Sequence, residues 1–155
     1  MIKVAINGFG RIGRNVLRAL YESQRENEFQ VVAINDLAPT DINLHLLQFD
    51  TTHGRFNAEL SSTDDSITVN GKHIPAFQQR DPEKLPWKEI DVDIVFECTG
   101  FFRSRDKAAL HLEAGAKKVL VSAPGKGLDA TIVYGVNDNK IKATDTLVSL
   151  SLIHI

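Results

Sequence analysis

The stretch Lys3-Val-Ala-Ile-Asn-Gly-Phe-Gly-Arg-Ile-Gly-Arg14 decides the fold, because a short apolar run passes directly into Gly8-x-Gly10-x-x-Gly13. A strand, this glycine spacing and a following helical pattern together read as a dinucleotide-binding loop. Gly8 permits the tight turn out of the strand, Gly10 lets the backbone approach a pyrophosphate, and Gly13 lets the next helix pack closely on the sheet. The phosphates then rest on the helix N-terminus, where N–H groups without intrahelical partners and the positive end of the dipole stabilise negative charge. The helix is amphipathic, with Ile12, Val16, Leu17 and Leu20 on one face. A second strand, Val31-Val-Ala-Ile-Asn35, ends on Asp36, placed to accept hydrogen bonds from an adenosine ribose. That carboxylate favours NAD over NADP, since a ribose phosphate beside it is repelled.

The composition sets the frame around this loop. A chain of 155 residues suits one well-packed domain, and its 25% charged and 43% hydrophobic residues are ordinary globular values. A net charge of -2 gives no electrostatic reason to expect nucleic acid or an anionic membrane as partner. Met1 leads straight into a strand, with no secretory leader pattern, and no apolar run is long enough to span a bilayer. The single cysteine, Cys98, precludes an internal disulfide and fits a reducing compartment, so a cytoplasmic protein is expected.

Along the chain, Asp41 reads as the N-cap of a short helix to about Gln48, with Ile42, Leu46 and Leu47 as its apolar face. Phe49 to Phe56 reads as a loop. Extended stretches are expected at Asn57 to Leu60 and at Ser66 to Val69, and Asn70-Gly71 is a hairpin turn whose returning strand is Lys72 to Phe77. Val92 to Glu97 is a mostly apolar strand ending at Cys98-Thr99-Gly100, and ligands of open α/β sheets bind beyond such carboxyl ends. Ser104 is the expected cap of a helix from about Arg105 to Ala114, with Leu110 and Ala114 facing the sheet and Gly115 ending it. Lys118 to Ser122, Thr131 to Tyr134 and Leu147 to Ser149 complete the strands. The fold class is α/β, a Rossmann-type doubly wound, mostly parallel sheet with an antiparallel hairpin insertion.

Other constellations carry less. His45, His53, His73, His111 and His154 are scattered without ligand spacing, so no metal site is expected. Asp64-Asp65 and Lys117-Lys118 read as solvated surface. Cys98 closes a buried strand and reads as a packed small residue rather than a nucleophile.

Taken in order, Ile6-Asn-Gly-Phe-Gly-Arg-Ile-Gly-Arg14, Asn35-Asp36, Phe49-Asp-Thr-Thr-His-Gly-Arg55, Gln79-Arg-Asp-Pro82, Cys98-Thr-Gly100, Gly115-Ala-Lys-Lys-Val119 and Ser122-Ala-Pro124 resemble the N-terminal NAD-binding domain of phosphorylating glyceraldehyde-3-phosphate dehydrogenases. Erythrose-4-phosphate dehydrogenases share most of these motifs, although Ser122-Ala-Pro124 is more like the glyceraldehyde-3-phosphate enzymes. The resemblance implies a cofactor-binding set of Asn7, Gly8, Gly10, Arg11, Ile12, Gly13, Asp36, Arg80, Thr99, Gly100 and Ser122. Within it, Arg11 and Ile12 present backbone to NAD, Asp36 holds the adenosine ribose, Arg80 lies near the adenine, and Thr99 and Ser122 line the path toward nicotinamide. It further implies an oxidoreductase of glycolysis, homotetrameric at full length, that acts on a sugar phosphate and inorganic phosphate. A catalytic cysteine forms a thiohemiacetal, hydride passes to NAD, and phosphate releases an acyl phosphate with a histidine as base.

In the family, the run matching Leu147-Val-Ser149 continues into Asn-Ala-Ser-Cys-Thr-Thr-Asn-Cys, which holds the nucleophile, and then into a catalytic domain. Here it continues Leu150-Ser-Leu-Ile-His-Ile155. The expected organisation is therefore an NAD-binding domain over 1–149 and a non-native tail over 150–155, with the catalytic domain absent. Leu-Ser-Leu-Ile-His-Ile is also the in-frame translation of the transposase adaptor CTGTCTCTTATACACATC. Resequencing of the locus is expected to show a reading frame that continues after Ser149; a native stop codon after Ile155 would exclude the adaptor origin.

Overall fold

The computed structural model describes residues 1–151, so residues 152–155, including His154 and most of the expected tail, lie outside the described residues. The chain runs β1 (Ile2–Asn7), α1 (Arg11–Glu22), β2 (Phe29–Asn35), α2 (Thr40–Gln48), β3 (Phe49–Asp50), β4 (Gly54–Arg55), β5 (Leu60–Thr63), β6 (Ser66–Val69), β7 (Lys72–Phe77), β8 (Ile94–Glu97), α3 (Arg105–Glu113), β9 (Lys118–Val121), β10 (Ala130–Ile132) and β11 (Leu147–Leu150). Among the described residues the main sheet has nine strands in the order β10-β11-β9-β8-β1-β2-β7-β6-β5. Every pair from β10 to β7 is parallel, while β5, β6 and β7 form the antiparallel insertion. No helix among the described residues is long and apolar enough to cross a membrane.

The order places a switch point at β1, where the chain winds outward to β2 on one side and returns to β8 and β9 on the other. Right-handed crossovers in opposite directions put α1 and α3 on opposite faces. The buried clusters agree: Ile6 belongs with Leu17 of α1 and Leu47 of α2, whereas its neighbour Ala5 belongs with Trp87, Val95 and Ala114, the C-cap of α3. With both faces covered, Val4, Ala5, Ile6 and Asn7 are all buried, which explains why β1 reads as a continuous apolar run rather than an alternation. The Asn70-Gly71 turn has positive φ at both residues, 49° and 78°, as a two-residue hairpin between twisted strands requires.

Several local expectations are corrected. The helix α2 begins at Thr40 with Pro39 as N-cap, and Asp41 sits in its first turn; the Thr40 hydroxyl is held by Thr63 O at 2.5 Å. Ile42 and Leu46 face outward, whereas Leu47 is buried and Leu44 packs against the same core. The segment read as a loop from Phe49 contains the short β3–β4 ladder, because Asp50 Oδ1 accepts from both Thr52 N and His53 N and closes the turn. The strand expected at Asn57 starts at Leu60, since both backbone groups at Glu59 are taken by Asn70. Ser104 makes no side-chain cap, and Ala108 and His111, not Leu110, are the buried positions of α3. Ile12 is 44% exposed at the start of α1, while Arg18 is buried and donates to Gly54 O. The strand expected to reach Tyr134 ends at Ile132, and β11 runs on to Leu150, opposite Ile132.

The last strand is clamped by Asp129, whose Oδ2 accepts from Thr146 N and Leu147 N and whose Oδ1 meets the Arg105 guanidinium of α3. The Arg105 hydrogen bond, helped by the two backbone N–H groups, holds the Asp129 carboxyl well below the usual carboxylate range. A depressed folded-state value contributes stability above the ordinary carboxylate range and loses it as pH falls toward that value. Asp129→Asn is expected to lower the melting temperature by about 3 °C near pH 7. Calorimetric scans should show the difference narrowing on acidification.

Candidate cofactor-binding site

β1 is followed by Gly8, whose φ is +89° and where a Cβ would lie 2.7 Å from Thr99 N and 2.9 Å from the Cys98 carbonyl carbon. Both the conformation and the close approach of β8's exit demand glycine. Five residues on, a Cβ at Gly13 would fall 2.2 Å from Gly8 O, so α1 is seated directly on the loop that starts it. At Gly10 nothing stands within 4 Å of a would-be Cβ, so the backbone there faces open space. The first turn of α1 carries no acidic residue, and its leading N–H groups have no intrahelical acceptor. This is a cradle suited to an anion.

Beyond the ends of β1, β2 and β8 lies a crevice of about 540 Å³, lined by Asn7, Gly8, Gly10, Asn35, Asp36, Leu37, Gln79, Arg80, Cys98, Thr99, Phe101 and Phe102. Asp36 is already oriented: Oδ2 accepts from Phe9 N at 2.8 Å and Oδ1 from Ala38 N at 2.9 Å. Two backbone donors leave the remaining lone pairs of this carboxylate for ribose hydroxyls. Polar groups over the glycine loop, with Leu37 and Phe101 as apolar walls, fit a dinucleotide.

The fold thus gathers Asn7, Gly8, Gly10, Asp36, Arg80 and Thr99 around one space. Gly13 lies beneath it and Arg11 and Ile12 start the helix at its rim, where the Arg11 guanidinium meets Asp50 at 3.4 Å. Gly100, with φ +79°, follows Thr99. Ser122 does not line the crevice. It stands at the end of β9, where its N–H donates to Glu97 O.

Beneath the crevice is a polar layer that motif reading missed. The Glu97 carboxylate, fully buried, accepts at Oε1 from Thr99 N (2.8 Å) and Thr99 Oγ1 (2.5 Å). Its Oε2 faces Asn7 Nδ2 at 2.6 Å and His111 Nε2 at 2.7 Å. Trp87 Nε1 reaches His111 Nδ1, and Asn35 links Asn7 Oδ1 to the backbone of Gln79. A charged residue inside the apolar run of β8, and asparagines closing both β1 and β2, were the available signals.

Cys98 borders the crevice yet is largely enclosed. Burial pushes its thiol up to about 11; a hydrogen bond with Ser122 opposes this and the nearby Glu97 charge adds to it.

Comparison with known proteins agrees with this geometry. Residues 2–105 match the family described as glyceraldehyde 3-phosphate dehydrogenase, NAD binding domain. The chain is 58% identical over 149 residues to the plasmid-borne glyceraldehyde-3-phosphate dehydrogenase of Cupriavidus necator, 56% over 148 to that of Pseudomonas aeruginosa and 51% over 149 to that of Thermotoga maritima. Each alignment covers 96% of this chain and 44% of the relative, so the chain spans a little under half the length of those proteins. The match over residues 2–105 and this degree of identity show that the chain belongs to the glyceraldehyde 3-phosphate dehydrogenase family, through its NAD-binding domain.

Proposed function

We propose that this chain is the cofactor half of a phosphorylating glyceraldehyde-3-phosphate dehydrogenase, and that it binds NAD without turning over an aldehyde by itself. The observation that carries the reading is the crevice beyond β1, β2 and β8, with the α1 N-terminus at one wall and the fixed Asp36 carboxylate at another. NAD, when bound, supplies the hydride acceptor. The residues of this chain do the rest: the α1 N-terminus and Gly10 receive the pyrophosphate, Asp36 orients the adenosine ribose, and Arg80, Leu37 and Phe101 surround the base. Arg11, Ile12, Thr99, Gly100 and Ser122 complete the proposed binding set. In the longer enzyme this half would serve the oxidation and phosphorylation of a sugar-phosphate aldehyde within a cytoplasmic homotetramer; the names of the relatives favour glyceraldehyde 3-phosphate over the erythrose phosphate of the similar enzymes.

The lack of turnover follows from the thiol. A nucleophile that attacks an aldehyde must be present as thiolate, and a group raised to about 11 by burial is almost wholly protonated at neutral pH. Cys98 therefore packs rather than reacts.

Two outcomes are expected. Titration calorimetry should show NAD binding to the chain and NADP binding at least about ten-fold more weakly, with Asp36→Asn closing much of that gap. Equal affinity for both cofactors would overturn the role of Asp36. At neutral pH, alkylation of Cys98 by iodoacetamide should run more than about ten-fold slower than that of a free thiol and accelerate as pH rises toward 11. Steady dehydrogenase turnover by the purified chain, lost in Cys98→Ser, would overturn the assignment of Cys98 as inert.

A further inference from the structure

The donor and acceptor inventory of the buried layer orders its protons, with Asn7 Nδ2 and His111 Nε2, 3.3 Å apart, both turned to Glu97. An indole N–H can only donate, so the 3.0 Å contact from Trp87 Nε1 makes His111 Nδ1 an acceptor. The His111 Nε2 proton is then directed at Glu97 Oε2 across 2.7 Å. Asn7 must turn its amide nitrogen to the same carboxylate, because its Oδ1 is occupied by Asn35 Nδ2 at 2.7 Å. Asn35 is ordered in turn by Gln79, whose N–H it accepts and whose carbonyl it reaches. Four donors thus converge on the Glu97 carboxylate, from Asn7 Nδ2, His111 Nε2, Thr99 N and Thr99 Oγ1, while Trp87, Asn35 and Gln79 order the groups behind them.

We infer that Glu97 is a positioning residue for cofactor binding: its carboxylate, through Thr99 and Asn7, holds the ends of β8 and β1 at the separation that opens the dinucleotide crevice. The Thr99 turn it fixes is the one against which Gly8 is pressed, with 2.7 Å between Thr99 N and a would-be Cβ. The Thr99 hydroxyl also accepts from Phe101 N at 3.1 Å, which carries the constraint to the crevice wall. Glu97 itself is fully buried and is absent from the crevice lining, so it acts through these neighbours rather than by touching the cofactor. The inference rests on the NAD reading given above.

Glu97→Gln is the direct test. A carboxamide must turn its NH2 toward either Thr99 N or the Asn7 and His111 donors, so one side of the layer meets donor against donor. The expected result is an NAD dissociation constant raised about ten-fold, measured well below the melting temperature. Ile67→Ala, which removes core packing in the insertion strand β6, should lose stability but keep the wild-type constant. Unchanged NAD affinity in folded Glu97→Gln overturns the positioning role alone, whereas failure of the wild-type chain to bind NAD overturns the cofactor reading and the positioning role with it. If Glu97→Gln does not fold, Thr99→Val carries the test, since it deletes only the hydroxyl that joins Glu97 to Phe101; an unchanged constant there is equally fatal. Nitrogen NMR of the wild-type chain near neutral pH should find His111 protonated at Nε2 and bare at Nδ1. A protonated Nδ1 would overturn the inward order of donors.

Discussion

Only a hydrogen atom separates Gly13 from the carbonyl of Gly8, since a methyl group there would fall 2.2 Å from the oxygen. This contact seats α1 directly on the loop that leaves β1. It also brings the helix N-terminus over the strand ends, where its N–H groups face outward. The position of β8 follows from the same turn, because Gly8 also yields to the Cys98–Thr99 backbone. Crevice, helix dipole and strand spacing are consequences of one stretch of backbone that admits no side chain.

That backbone is held from below by polar groups rather than by apolar packing. Asn7, Asn35 and Glu97 close β1, β2 and β8, are nearly or wholly buried, and satisfy one another. A buried polar group costs stability unless its partners are complete, and a complete set has a narrow geometry. The apolar clusters on either face tolerate small shifts of packing. The strand ends do not, because a displaced donor leaves a buried charge uncompensated.

The division between what sequence revealed and what it hid follows this distinction. The order of strands and helices was legible, because periodicity and the glycine, Asn-Gly and Gly115 signals are local properties of the chain. The place of Asp36 at the end of β2, beside the glycine loop, was legible for the same reason, lying at a fixed remove from that loop. The polar layer was not, since Asn7, Trp87, Glu97 and His111 meet only after β1, β8 and α3 are packed; Asn7 and His111 are separated by 104 residues. His111 looked like one of several scattered histidines until Trp87 and Glu97 were seen on its two nitrogens. The start of α2 was misplaced for a related reason: Thr40 is tied to Thr63, a contact made by tertiary structure rather than by the local cap pattern.

With the proposed cofactor in place, the arrangement would set one anion beneath another, a buried carboxylate under the pyrophosphate. At low effective dielectric such a pair repels strongly unless each charge has its own donors. Here the two donor sets are distinct. Glu97 takes the side chains of Asn7, His111 and Thr99 together with Thr99 N, while the first turn of α1 keeps its N–H groups for what lies above. The Gly8–Gly13 loop lies between them, touching Thr99 on the lower side and leaving Gly10 open on the upper. A neutral residue at 97 would remove the repulsion but also the reason for Thr99 and Asn7 to hold their places. The carboxylate is therefore better understood as the fixed point of the strand ends than as a tolerated defect in a core.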